Sequence, residues 1–197
     1  NGIIENVSKL KEEYLKNIDL KSSTDTEIIA HLIALEKGNN LEKVAKAMKK
    51  LSGSWALAII NQDEKNCIYL AKNKSPLYYT KNKEEIFVAS DPICFQKEAV
   101  DYFSLKDGQV AKLTLDETLV YDQFLNKKNS KRYVLKESKD DILKKEFPHF
   151  MLKEIKDTKN SLLRLCEKYS DKTTFWGIDL NFIDKIKQIK IIGCGTA

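Results

Sequence analysis

Arginine is almost missing from this chain of 197 residues: Arg132 and Arg164 are its only two among 34 basic side chains. Nucleic-acid readers rely on the planar guanidinium fork for phosphates and guanine edges. The lysine excess, set against 29 acidic residues for a net charge of +5, therefore reads as a solvated surface, and no nucleic-acid partner is expected. No run of 18 apolar residues occurs, which leaves no candidate transmembrane helix and no expected membrane partner. The chain opens on Asn1-Gly2-Ile3-Ile4 rather than on a basic stretch and an apolar core, so no secretory leader is read and a cytoplasmic location is expected. Cys67, Cys94, Cys166 and Cys194 include no CxxC pair, and His31 and His149 stand far apart. Zinc ligation needs close-spaced ligands, so neither a metal nor a cofactor is expected, and the cysteines read as free thiols in a reducing compartment.

What is present is 42% apolar and 32% charged, enough for a packed core and too apolar for wholesale disorder. Val7, Leu10, Tyr14 and Leu15 recur at helical spacing behind Asn6 as a candidate N-cap. Thr24 with Glu27 reads as a capping box opening a second helix with Ile28, Ile29, Leu32 and Ile33 on its buried face, stopped by Gly38. Asn40 is read as the cap of a third helix with Leu41, Val44, Ala45, Met48 and Leu51 as its stripe. From Ser54 the period becomes extended. Trp55 to Ile60 is uniformly apolar, as for a strand between two layers, and Cys67 to Ala71 returns as its hairpin partner. Further strands are expected at 76–80, 86–89, 108–113 and 119–121, with a short helix at Asp91-Pro92. Lys127 to Arg132 reads as a polar connector, and helical spacing resumes at Phe150, Met151, Ile155, Leu162, Leu163 and Leu165. Helices, then strands, then helices imply an α+β fold with antiparallel sheets.

Both ends read as cut from something longer: the chain begins in a strand, and the β-branched run Ile186–Ile192 enters the turn Gly193-Cys194-Gly195-Thr196 with no helix after it. Asn1-Gly2 could aim a side-chain amide and a backbone amide at one point, an oxyanion-hole arrangement, or could be an ordinary turn. Asp25, in the first turn of a helix, could serve the helix dipole or hold an ammonium group. With Thr24 assigned to the cap, Asp25 is left free to point elsewhere. Thr196 is a candidate phosphate ligand, since a strand followed by a Gly-rich turn opens onto helix N-terminal amides.

Taken in order, Asn1-Gly2-Ile3-Ile4-Glu5-Asn6, Thr24-Asp25-Thr26-Glu27-Ile28-Ile29-Ala30-His31-Leu32, Ser75-Pro76-Leu77, Ala89-Ser90-Asp91, His149-Phe150-Met151-Leu152-Lys153-Glu154-Ile155 and Cys194-Gly195-Thr196 resemble the glutamine–fructose-6-phosphate aminotransferases (isomerizing), or glucosamine-6-phosphate synthases. The first and fifth strings are the specific ones; the second and third are shared with further class II glutamine amidotransferases, which would lack the fifth string and the Cys194-Gly195-Thr196 loop. Lys156-Asp157-Thr158-Lys159 departs from the family pattern.

The resemblance implies a partial four-layer αββα sandwich of the N-terminal-nucleophile hydrolase type at 1–146, then linker helices and the start of a sugar-isomerase domain at 147–197. It carries the oxyanion hole onto Asn1 and Gly2, the glutamine-binding carboxylate onto Asp25, and a sugar-phosphate ligand onto Thr196. It implies glutamine and fructose 6-phosphate as substrates and a homodimer for the whole enzyme. The nucleophilic cysteine would lie upstream of Asn1, so the chain alone is expected to be inactive. Two alternatives remain: an inactive binding or regulatory module of the same fold, or another class II amidotransferase.

Overall fold

In a computed structural model, residues 2–95, 99–135, 146–170, 174–175, 178–183 and 185–190 are described. The chain divides into two compact units, Asn1–Asp141 and Ile142–Ala197.

The first unit opens with β1 (Gly2–Ile4) and three helices, α1 (Val7–Tyr14), α2 (Asp25–Leu35) and α3 (Asn40–Met48). Nine further strands follow among its described residues, in two sheets. β2 (Gly53–Asn61), β3 (Glu64–Asn73), β7 (Val110–Leu113), β8 (Thr118–Tyr121) and β9 (Lys127–Lys128) extend β1 into an antiparallel sheet of order β1-β2-β3-β7-β8-β9. β4 (Tyr78–Lys81), β5 (Ile86–Ala89), β6 (Asp101–Ser104) and β10 (Lys131–Val134) form a second sheet of order β10-β6-β4-β5, with a 3-10 turn at Pro92–Phe95.

Strand alternation sends successive side chains to opposite faces. Trp55, Cys67, Tyr69, Ala71 and Val110 join Leu10, Ile28, Leu32 and Val44 of the helices in one core. Ala56, Leu70, Ala111, Leu113 and Val120 meet Leu77, Tyr79 and Leu105 in the other. The larger sheet is thus buried on both faces, helices on one side and the second sheet on the other. The apolar run at Trp55–Ile60 follows from that placement over Trp55–Leu57; further along, Ala58 and Ile60 are exposed, Ile60 by 80%.

Several local expectations are corrected. Asn6 precedes α1 but makes no side-chain cap; its amide donates to Lys50 O (2.8 Å) and its carbonyl accepts from Ser52 N (2.9 Å), tying the start of α1 to the loop after α3. The α3 cap is Asn39, which forms a complete capping box with Glu42; Asn40 is the first helical residue and donates to Glu64 instead. α2 ends at Leu35, before Gly38, because Glu36 is already extended. The charged stretch 127–132 contributes to β9 and β10. Both are edge strands, where charge protects unpaired backbone; Arg132 pairs with Asp101 across β10–β6, and Tyr133 stacks on Tyr102.

One polar cluster crosses the layers. The Glu64 carboxylate accepts from Asn40 Nδ2 (2.6 Å), the Tyr69 hydroxyl and the Lys112 ammonium, joining α3, β3 and β7. Lys112 first, then Tyr69 and Asn40, hold its carboxyl down at about 2. Burial, then the bond to Glu64, pushes the Tyr69 phenol up.

In the second unit, α4 (Phe150–Tyr169) follows the expected helical spacing. β11 (Thr174–Phe175) pairs with β12 (Ile178–Asp179), and α5 (Leu180–Ile183) follows. The strand expected from Ile186 is not formed over 186–190, where the β-branched run pairs with no strand among the described residues; the rest of that run lies outside them.

Two outcomes follow. Gly53 has φ +123°, and a Cβ there would clash with Ile3 O, so Gly53→Ala should lower unfolding free energy by more than about 1 kcal/mol and raise amide exchange at Ile3 and Glu5. Because Glu64 has a lowered folded pKa, its contribution is present above the ordinary value of 4.5 and is lost as pH falls through about 2. In acid titrations of stability, Glu64→Gln should flatten the slope across that window.

Candidate functional site

The short strand β1 runs antiparallel to the start of β2, with Gly2 opposite Trp55, Ile3 opposite Ser54 and Ile4 opposite Gly53. Gly2 has φ +128°, and a Cβ there would strike Ser54 O and lie 2.6 Å from Trp55 Cα. Only glycine permits this approach, and it leaves the Gly2 backbone beside the indole-bearing strand.

The Ile4 amide, two residues on, donates to Asp25 Oδ2 at 3.3 Å. Asp25 is the first residue of α2 and half-buried. There its negative charge also faces the positive end of the helix. One hydrogen bond therefore ties the edge strand to the helix start, and Gly2, Ile4, Asp25, Thr26, Ile29, Trp55 and Leu57 line a single cavity of about 160 Å³.

Thr24 precedes α2 but supplies no side-chain cap. Its hydroxyl lies 2.8 Å from Ser22 Oγ. Glu27, read as the reciprocal member of a box with Thr24, reaches past it to the amides of Lys21 (2.7 Å) and Ser22 (2.6 Å) and to Ser22 Oγ (2.7 Å). The Lys21 amide first, then the Ser22 hydroxyl, hold its carboxyl at about 2. Glu27 thus braces the loop in front of the cavity as a carboxylate. The expected Thr24 cap is not formed: Thr24 and Glu27 are both engaged by the loop, and Asp25 accepts the Ile4 amide.

Trp55 is 97% buried by its 3% exposure, and its indole Nε1–H has no hydrogen-bond partner. A buried donor left unpaired costs about 1–3 kcal/mol, so an orphan on a cavity wall is unusual. Its sequence signal, an aromatic opening an apolar strand, is the signal of core packing.

Of the four residues read as a site, Gly2 and Asp25 line the same cavity. Asn1 and Thr196 lie outside the described residues. Trp55, Ile4 and Thr26 join the cavity wall without having been anticipated. Chemically, the arrangement offers a carboxylate for a cation and a backbone edge. Among the described residues no group of three His, Cys, Asp or Glu side chains converges as metal ligands, and Cys67, Cys94 and Cys166 are free thiols.

Residues 1–97 match the family described as the glutamine amidotransferase domain. Glutamine–fructose-6-phosphate aminotransferase (isomerizing) of Listeria innocua is 35% identical over 206 aligned residues, covering all of this chain and 34% of that protein. The Listeria monocytogenes enzyme is 36% identical and the Lactococcus lactis enzyme 34%, each again over the whole chain and 34% of the relative. The chain thus spans about a third of the length of these relatives. Among solved structures, glutamine phosphoribosylpyrophosphate amidotransferase from B. subtilis, in complex with ADP and GMP, superposes with a TM-score of 0.56 at 19% identity, covering 64% of this chain and 29% of that one. A structure of the allosteric regulatory enzyme of purine biosynthesis gives 0.55, also at 19% identity, over 64% of this chain and 28% of the other. At that identity the likeness speaks to the fold alone. The chain carries a glutamine amidotransferase domain at residues 1–97 and is, along its whole length, a relative of the glutamine–fructose-6-phosphate aminotransferases.

Proposed function

We propose that this chain is the later part of a glutaminase unit, an αββα sandwich, joined to the start of a sugar-isomerase domain with the boundary near residue 146. The protein that carries it hydrolyses glutamine and passes the ammonia to fructose 6-phosphate, giving glucosamine 6-phosphate and glutamate. It works as a cytoplasmic homodimer. The observation that carries the reading is the shared cavity: the Gly2 backbone and the Asp25 carboxylate lie on one wall system, held there by the Ile4–Asp25 hydrogen bond.

In this mechanism the ammonium group of glutamine pairs with Asp25. A cysteine thiolate, supplied from a segment upstream of Asn1, attacks the side-chain amide carbon. The carbonyl oxygen becomes an oxyanion, stabilised by the Asn1 carboxamide and the Gly2 amide. Ammonia leaves with the proton held by the nucleophile's base, and water then releases glutamate from the thioester. Thr196 binds the phosphate of the sugar in the second half. The chain by itself, with positioning groups and no nucleophile, releases no glutamate.

Two substitutions test the roles separately in the protein that carries this chain. Asp25→Asn should raise KM for glutamine about tenfold or more while changing kcat less, since the ammonium contact is made alike in ground and transition states. Asn1→Ala should lower kcat about 10²–10³-fold, with a smaller effect on KM. Glutamate release with unchanged KM in Asp25→Asn would refute the assignment of the carboxylate.

A further inference from the structure

α2 and α3 open differently, although both carry glutamate at the third helical position. At α3 the Glu42 carboxylate folds back onto its own N-cap, accepting the Asn39 amide at 3.2 Å, while the Asn39 side chain accepts the Glu42 amide at 3.0 Å. At α2 the Glu27 carboxylate passes over the N-cap. Its Oε1 accepts the Lys21 amide, and its Oε2 accepts both the amide and the hydroxyl of Ser22. With its own proton given to Glu27, the Ser22 oxygen accepts the Thr24 amide at 3.3 Å and the Thr24 hydroxyl at 2.8 Å. A chain of bonds thus runs from Glu27 through Ser22 to Thr24, the residue covalently joined to Asp25.

Apolar packing holds the body of α2, where Ile28, Ile29 and Leu32 are buried in the core between helices and sheet. Lys21, Ser22, Ser23 and Thr24 are all exposed, so the direction in which the chain enters the helix is a matter of polar bonds. The Ile4 amide supplies one of them, but at 3.3 Å to Asp25 Oδ2 it is longer than the roughly 2.9–3.0 Å usual for such bonds. Glu27 supplies the shorter ones, 2.7 Å from the Lys21 amide and 2.6 Å from the Ser22 amide. His31 Nε2, one turn on, lies 3.6 Å from Glu27 Oε1. Asp25 and Thr26 line the cavity and Glu27 does not, so a cation bound there meets one carboxylate of this turn rather than two. The Glu27 carboxyl, held at about 2 by the Lys21 amide first and then by the Ser22 hydroxyl, keeps its charge throughout the neutral range.

We propose that Glu27 is a positioning residue for glutamine binding: clamped on the amides of Lys21 and Ser22, it fixes the segment that enters α2 and so aims the Asp25 carboxylate at the substrate ammonium. The inference rests on the glutaminase reading above and adds to it a residue that touches no ligand. A ligand-binding carboxylate at the first residue of a helix needs such support, because a group loose by a fraction of an ångström loses much of its effect.

The test is a double-mutant cycle in the protein that carries this chain, read as glutamate release from L-glutamine. Glu27→Gln keeps the side-chain length and sets an NH2 group against one of the donors that the carboxylate now accepts. It should raise KM for glutamine about tenfold with kcat changed less, the signature of binding lost alike from ground and transition states. In the Asp25→Asn background the same substitution should change KM by about twofold or less, because a residue that acts through Asp25 then has no charge to aim. Ser22→Ala, at an exposed position, removes only the hydroxyl that links Glu27 to Thr24. It should raise KM about threefold while Asp25 is present, and it decides the matter if Glu27→Gln fails to fold. A KM within about twofold of the parent in Glu27→Gln, or an equal increase in both backgrounds, overturns the positioning role. An unchanged KM in Ser22→Ala does the same where that variant decides. If Asp25→Asn alone still raises KM, the glutaminase reading stands without Glu27; if Asp25→Asn has no effect, both fall.

Discussion

The site depends on how closely β1 lies against β2. Two glycines sit two residues apart on opposite strands of that ladder, Gly2 opposite Trp55 and against Ser54 O, Gly53 opposite Ile4 and against Ile3 O, and both hold positive φ. Side chains at either position would push the strands apart. Because they are absent, an edge strand of three residues keeps its place, extended by the Glu5 N to Ser52 O bond at 2.9 Å. That contact delivers the Ile4 amide to Asp25 and so sets the distance between the edge of the sheet and the start of α2.

The surroundings make this placement rigid. Leu10, Ile28, Leu32, Val44 and Tyr69 are nearly or fully buried in the core between helices and sheet, so α2 cannot slide without opening that core. At the far side of the helix layer, Glu64 gathers Asn40, Tyr69 and Lys112 into one charged cluster that joins helix to strands. In front of the cavity, Glu27 satisfies the two amides of the preceding loop. Helix, sheet and loop are each anchored by contacts other than those at the cavity, and the Asp25 carboxylate remains half-buried on its wall.

Much of the element pattern was legible in the residues. The 3.6-residue stripes of α1, α2 and α3, the hairpins β2–β3, β4–β5 and β7–β8, and the later helix all follow hydrophobic period and turn composition. The edge strands were harder to read. Lys127 to Arg132 has the composition of a solvated connector because edge strands carry charge on purpose, and their partners Asp101 and Tyr102 lie some thirty residues away in sequence. Caps were misread where a polar side chain had a competing long-range partner. Asn6 bonds Lys50 and Ser52, and Asn40 bonds Glu64; neither partner is visible within one helical turn.

For the site, residue type and order made Gly2 and Asp25 candidates beside an ordinary turn and a helix-dipole role, and it was the family resemblance that chose between these readings. Residue type and order were enough for the α+β class, because period and turn chemistry are local properties. Tertiary structure alone decided that the two residues share a cavity, that Ile4 bridges them, and that Trp55 closes the wall with an unpaired N–H. The physical reason is separation: residues 2, 25 and 55 meet only when a sheet ladder and a packed helix layer close the loops between them, and which donor remains unsatisfied depends on every neighbour in the folded core.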